Sequence, residues 1–188
     1  MTTSDWMTPF LREIEDYPVE GVTFRDITPL LQHPAAFGRA IDDLVATLHD
    51  ERISTVVGVE ARGFILAAPV AYRLRAGFIP VRKPGKLPWA VAREEYDLEY
   101  GSDRLEIHRD AVRPGERVLV VDDVLATGGT AEATCKLVEA LGGEVVGVAV
   151  LLELDALGGR KKLGSRRVES GSSSAAPPIC TTRTSSPY

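Results

Sequence analysis

The chain has 188 residues, 44% hydrophobic and 26% charged, with a formal net charge of -5. That length buries one core without disulfides or structural metal, and no apolar run approaches the roughly 20 residues that a membrane span needs. An acidic balance argues against a nucleic-acid partner. The three histidines lack metal-ligand spacing, so no protein-built zinc site is expected, and Cys135 falls in a helical pattern as a small buried hydrophobe. Residues 1–6 lack the basic and apolar regions of a secretion signal, which makes the cytoplasm the expected compartment.

In chain order, Thr8-Pro9 resembles an N-cap with proline at the first helical position, and Phe10, Leu11 and Ile14 predict a short helix ending near Tyr17-Pro18. Pro34 opens a second helix, in which Phe37, Ile41, Leu44, Val45 and Leu48 make one apolar face. Residues 55–60 then read as a strand, 64–74 as a helix and 78–81 as a strand, which is one βαβ unit. Residues 118–122, 130–141 and 145–152 repeat the plan, with Gly142-Gly143 ending the helix. Strands that are continuously apolar and joined by helices predict an α/β fold with a central, mostly parallel sheet flanked by helices.

Residues 82–113 differ. They are charged, contain Pro84, Gly85 and Pro88, and include the alternating run Tyr96-Asp97-Leu98-Glu99-Tyr100 before a turn at Gly101-Ser102-Asp103. This predicts a hairpin inserted above the sheet, of the length that often serves as a lid or binding loop. From Ser165 onward Ser, Thr, Pro and Arg dominate without periodicity, so the expected division is a domain over 1–164 and a disordered tail over 165–188.

The run from Val118 through Asp122-Asp123 to Ala126-Thr127-Gly128-Gly129-Thr130 carries the chemistry. Ligands of open α/β sheets bind beyond the carboxyl ends of strands, where the two acids would lie. The small turn offers backbone N–H groups, two glycines and two hydroxyls at a helix N-terminus, a cradle for a phosphate monoester. Ionised carboxylates only accept hydrogen bonds, so they suit neighbouring sugar hydroxyls or a Mg²⁺ shell better than the phosphate. On composition alone, a capped helix behind a glycine turn explains the same residues equally well. The lysine of a Walker A loop and the spacing of a Rossmann loop are both missing.

This run resembles the phosphoribosyl-diphosphate (PRPP) motif of type I phosphoribosyltransferases. Four further segments resemble, in order and spacing, the adenine-using branch of that family: 21–26 (GVTFRD), 60–64 (EARGF), 82–88 (RKPGKLP) and 96–101 (YDLEYG). The resemblance implies the type I fold with a hairpin hood, a homodimer, and conversion of adenine and PRPP into AMP and diphosphate, with Mg²⁺ carried on PRPP and no direct protein ligand to metal. It implies that Asp122 and Asp123 hold the ribose hydroxyls while Ala126, Thr127, Gly128, Gly129 and Thr130 wrap the 5′-phosphate. Ala61 and Arg62 match a diphosphate loop, which Arg82, Lys83 and Lys86 also reach, in this subunit or its neighbour. Phe24 matches the residue that stacks on the purine, and Val22, Arg25 and Leu154 line the same pocket.

Glu99 is then the expected proton carrier, because adenine sheds a proton as N9 bonds to C1 and a carboxylate near N7 can take it. Asp97 on the same strand face is its nearest rival, and Tyr100 would help close the hood against water. Two other functions fit these residues less well. A transferase for oxo-purines needs a donor for the base oxygen, which no lysine beyond the acidic motif supplies, and a PRPP-sensing regulator needs a DNA-binding domain for which the leading ~30 residues are too few.

Overall fold

The computed structural model describes residues 5–174 apart from 18, 19, 22, 47, 49, 50 and 98–101. Its centre is a five-stranded sheet, parallel throughout, in the order β4-β3-β7-β8-β9. The strands are β3 (Thr55–Val59), β4 (Gly77–Val81), β7 (Arg117–Leu125), β8 (Glu144–Leu154) and β9 (Val168–Ser174). Burial on both faces explains the unbroken valine and leucine runs, because no position along β3 faces water.

Alternation along β3 sends Val56 into one core and Val57 into another. The first core lies under α1 (Thr28–Gln32), α2 (Pro34–Val45) and α3 (Arg62–Leu74). The second lies under α4 (Gly129–Ala140) and a hairpin of β5 (Val91–Asp97) and β6 (Ser102–His108), whose Leu105 and Ile107 are buried. The predicted hairpin is therefore present, and an isolated bridge from Arg82 to Glu106 ties it to the end of β4. Cys135 is buried on α4, and burial pushes its thiol up to about 12.

Two expectations are corrected. The leading segment is a 3-10 helix over Asp5–Phe10, followed by β1 (Arg12–Ile14), which pairs antiparallel with β2 (Phe24–Asp26). Apolar spacing alone did not distinguish an α-helix from a tighter turn plus strand, and pairing with β2 decided the matter. The domain also does not stop at residue 164, because β9 extends it along the edge of β8 as far as Ser174. Its sequence VESGSSS shows no alternation, but an edge strand gains its order from backbone pairing and is commonly polar. Arg160 Nη1 donates to Val168 O at 2.9 Å, Arg167 pairs with Glu51 and Glu169, each at 2.7 Å, and the side chain of Met7 covers Gly171.

Candidate active site

Because the sheet is parallel, the segments singled out in sequence leave it at one end. β7 runs through both acids to Leu125, so Asp122 and Asp123 are strand residues and the turn follows. Asp122 Oδ1 accepts the Asp123 backbone N–H at 2.9 Å. Burial and then the charge of Asp123 push the Asp122 carboxyl well above its ordinary value. Gly63, in the first turn of α3, lies against this carboxylate: a Cβ there would stand 2.9 Å from Asp122 Oδ1, so the β3–α3 junction can approach β7 only without a side chain.

The turn over residues 126–128 leads into α4, whose N-cap Gly128 has φ of 82°, a left-handed conformation that favours glycine. Glu132 N closes the first helical hydrogen bond onto Gly128 O at 2.9 Å. The N–H groups before it, from Thr127 through Thr130, lack helical acceptors and lie where the helix dipole is positive. Thr127 is exposed, while Gly128 and Gly129 are buried.

Support for this turn comes from a residue that the sequence reading gave no role. Gly159 opens α5 (Gly159–Lys162), and a Cβ there would press on Ala126 O and stand 3.0 Å from Gly128 N, while a Cβ at Gly128 would stand 2.6 Å from Gly159 O. The Gly158-Gly159 pair is the one trace of this contact in the sequence; two backbones in contact cannot be read from periodicity.

Arg62 begins α3 directly after the cis Glu60–Ala61 peptide. Its Nε lies 2.8 Å from Asp123 Oδ2, an ion contact off the N–H axis, so that this buried oxygen has no aligned hydrogen-bond donor among the described residues. Its guanidinium carbon also stands 5.4 Å from the centroid of the Phe24 ring. Three residues assigned to diphosphate, ribose and base are thus in direct succession. Asp26, unassigned from sequence, lies in the same field: Thr28 hydrogen bonds hold its carboxyl below the ordinary value, with Arg12 and Arg62 adding to the effect.

Phe24 is half-buried and meets Tyr17 edge-on at 5.2 Å between centroids. Arg25, its neighbour on the strand, projects to the other side and pairs with Glu13 at 3.1 Å, so the structure does not bring it to Phe24. Leu154 closes β8 at the same end of the sheet.

The basic loop after β4 is held by carboxylates. Arg82 donates to both oxygens of Glu60, at 3.1 and 3.3 Å, and Lys83 N donates to Glu60 Oε2 at 2.9 Å. Burial opposes ionisation of Glu60, but these donors outweigh it and hold the carboxyl below its ordinary value. Glu106, 2% exposed, accepts Gly85 N at 3.0 Å and Arg93 Nε at 2.7 Å. Lys83 Nζ reaches Asp103 of the hairpin at 3.2 Å, whereas Lys86 is exposed. Glu99, Tyr100 and Val22 lie outside the described residues.

The parallel sheet, with a carboxylate pair, a glycine turn and a basic loop gathered at its carboxyl ends, has the type I phosphoribosyltransferase fold. The chain belongs to that family, whose phosphoribosyl transferase domain matches residues 27–170. The adenine phosphoribosyltransferase of Roseiflexus castenholzii is 57% identical over 159 residues, 85% of this chain and 92% of that protein. The solved adenine phosphoribosyltransferase of Rhodothermus marinus is 50% identical with a TM-score of 0.86, covering 90% of this chain and 97% of that one. The Saccharomyces cerevisiae enzyme, solved in complex with an imino-altritol bisphosphate and adenine, is 37% identical with a TM-score of 0.85, covering 89% of this chain and 97% of that one.

Proposed function

We propose that the chain is a purine salvage transferase that converts adenine and PRPP into AMP and diphosphate. The observation that carries this reading is the succession Phe24, Arg62, Asp123 beside the glycine turn before α4: an aromatic face, a cation and a carboxylate in contact, next to an anion cradle. Adenine stacks on Phe24, the ribose hydroxyls donate to Asp122 and Asp123, and residues 126–130 enclose the 5′-phosphate. Ala61, Arg62 and the basic loop receive the diphosphate.

The ribosyl C1 loses its bond to the diphosphate oxygen and gains one to adenine N9. The proton released from the base passes to Glu99 near N7, and Tyr100 helps the hood exclude water that would otherwise hydrolyse PRPP. Mg²⁺ carried on PRPP would offset the charge that accumulates on the departing diphosphate. Asp122 and Asp123 would meet the metal only through the ribose that they hold, and no group of three or more His, Cys, Asp or Glu suited to a metal occurs among the described residues.

We also propose a homodimer formed through α3 and the free edge of the sheet. Ile65 and Tyr72, two turns apart on α3, are 44% and 84% exposed, and Phe78 on edge strand β4 is 40% exposed, an apolar face that a second copy would cover. Sedimentation tests this reading, since a monomer at micromolar concentration would overturn it. No helix among the described residues is long and apolar enough to cross a membrane. A cytoplasmic place of work is part of the proposal.

The discriminating assay offers adenine, hypoxanthine, guanine and xanthine with PRPP and Mg²⁺ and follows diphosphate release. Turnover of adenine alone is expected; turnover of hypoxanthine without adenine would overturn the assignment.

A further inference from the structure

Glu106 is a buried acid for which the proposed reaction has no use. Leu105 and Ile107, on either side of it along β6, lie in the second core, so strand alternation turns Glu106 to the opposite face of the hairpin. A carboxylate 2% exposed must replace its lost hydration with bonded donors, and each of its oxygens has one. Oε1 accepts Arg93 Nε, within the hairpin, at 2.7 Å. Oε2 accepts Gly85 N, from the loop after β4, at 3.0 Å. Donors from two elements thus meet on one side chain.

The same loop is joined to the hairpin by its backbone: Arg82 N donates to Glu106 O at 2.9 Å, and Glu106 N donates to Arg82 O at 2.7 Å. Between Arg82 and Gly85, Lys83 gives its N–H to Glu60 and Pro84 has none. Gly85 takes a φ of 75°, and Arg82 Nη1 closes the turn onto Lys86 O at 3.3 Å. Residues 83–86 are exposed, so packing does little to fix them and the bonds to Glu60, Asp103 and Glu106 do most.

We propose that Glu106 is a positioning residue for the basic loop, fastening it to the hairpin so that Lys83 and Lys86 stand ready before diphosphate arrives. The proposal rests on the reading of this loop as part of the diphosphate site. Two donors from different elements need two acceptor oxygens, which a carboxylate offers and an amide does not. With Oε2 in place, Lys86 leaves the turn from a fixed backbone position directly after Gly85, and Lys83 is held on the other side of Pro84. Cations placed in advance lose less freedom when an anion binds, and the difference appears as affinity.

Calorimetry with magnesium diphosphate, initial rates with adenine and PRPP, and amide exchange at Gly85, all on the full-length protein, test this. Glu106→Met removes both acceptors at similar shape. It should weaken magnesium diphosphate and raise the KM for PRPP by at least about fivefold, leave the KM for adenine within about twofold, and quicken exchange at Gly85. Arg93→Met breaks only the bond within the hairpin, so diphosphate affinity and Gly85 exchange should stay within about twofold of the unsubstituted protein. Glu106→Gln, which leaves one acceptor oxygen for two donors, should show the same split at smaller size and serves if Glu106→Met folds poorly. Equal losses for adenine and PRPP, or an Arg93→Met protein as weak for diphosphate as Glu106→Met, would assign Glu106 to the stability of the hairpin and overturn the proposal. Faster exchange at Gly85 with unaltered diphosphate affinity would overturn it too. Lys86→Ala separates the proposal from the reading beneath it. If that variant binds diphosphate as well as the unsubstituted protein, the loop is not the diphosphate site and both fall; if it binds more weakly while Glu106→Met does not, the proposal alone fails.

Discussion

Arg62 Nε stands 2.8 Å from Asp123 Oδ2 while the guanidinium carbon of the same residue lies 5.4 Å from the Phe24 ring centroid. One cation therefore covers both the aromatic face assigned to adenine and a carboxylate assigned to ribose. A cation over an aromatic ring gains about 0.5–1 kcal/mol at a site open to water, and adenine must displace it. In Arg62→Gln that competition is gone, so adenine alone should bind the free protein about two- to fivefold more tightly. On the proposed diphosphate role of Arg62, the same change removes charge-assisted bonds worth about 1.5–3 kcal/mol and should raise the KM for PRPP at least about tenfold. Calorimetry with adenine and initial rates against PRPP separate the two effects. Equal adenine affinity in both proteins would show that Arg62 does not occlude Phe24.

Asp122 carries a cost in the ligand-free protein. Its carboxyl is raised first by burial and then by the adjacent Asp123. An acid that binds its proton more tightly folded than unfolded loses stability as pH climbs from its ordinary value of 3.8 toward the raised one. Above both values the ionised group weakens the fold. Asp122→Asn keeps the oxygen that accepts from Asp123 N and removes that charge. It should raise the melting temperature at pH 7 by about 2–4 °C, for about 1 kcal/mol, and narrow the advantage in acid. PRPP affinity should fall together with that gain, since a site carboxylate is lost. Thermal melts over a pH series decide it: a variant less stable than the unsubstituted protein at pH 7 contradicts the argument.

Glu99→Gln should lower kcat by about 10²- to 10⁴-fold, the usual weight of one positioned proton acceptor, while PRPP affinity stays within about twofold. Rates following AMP formation, with PRPP binding measured separately, test this. An unchanged kcat would pass the role to Asp97 or to solvent.

What could be read from the chain follows from which forces leave a trace in side-chain order. β3, α3, β7, α4 and β8 were legible because burial on both sheet faces forces unbroken apolar strands, and because Gly128-Gly129 marks a turn that few other residues can make. β9 was not, since its order comes from backbone hydrogen bonds to β8 and from Arg160 and Arg167, which no pattern within VESGSSS announces. The same limit hid Gly159 behind the turn and Asp26 beside Arg62, where partners far apart in sequence converge. Arg25 shows what a motif leaves open: the resemblance puts the residue beside Phe24, while its side chain goes to Glu13 on the neighbouring strand, a contact that no pattern within GVTFRD announces.

Gly159→Ala tests the backing of the phosphate turn. The new Cβ would press on Ala126 O and crowd Gly128 N at 3.0 Å, and neither is a flexible side-chain end that can move aside. The turn must shift by some tenths of an ångström, and a site held by backbone N–H groups tolerates little displacement. The KM for PRPP should rise about tenfold or more, with a loss of about 1–3 kcal/mol in stability from overpacking. If PRPP kinetics are unaltered, the contact between α5 and the turn does not set the phosphate site.

The end of β8 is fastened to β9 by Glu153, whose side chain is 6% exposed and takes both Nε and Nη2 of Arg160, at 2.9 and 2.5 Å. Arg160 uses its remaining nitrogen, Nη1, on Val168 O, so the carboxylate orients the cation that receives β9. The Arg160 hydrogen bonds hold the Glu153 carboxyl below its ordinary 4.5 against the opposing effect of burial. For a depressed acid the stabilisation is complete above the unfolded value and lost as pH falls through the folded one, a window lying below 4.5. Because Arg160 is half exposed, the pair is discounted for solvent screening, and Glu153→Gln should cost about 1–2 kcal/mol at pH 7. Denaturant melts from pH 7 to about pH 3 should show the gap between the two proteins closing in the acid range. Amide exchange should quicken first along β9, before the inner strands β3 and β7, because the edge strand is the element that the pair fastens. A gap that persists unchanged in acid would mean that Glu153 stabilises the fold by its shape and not by its charge.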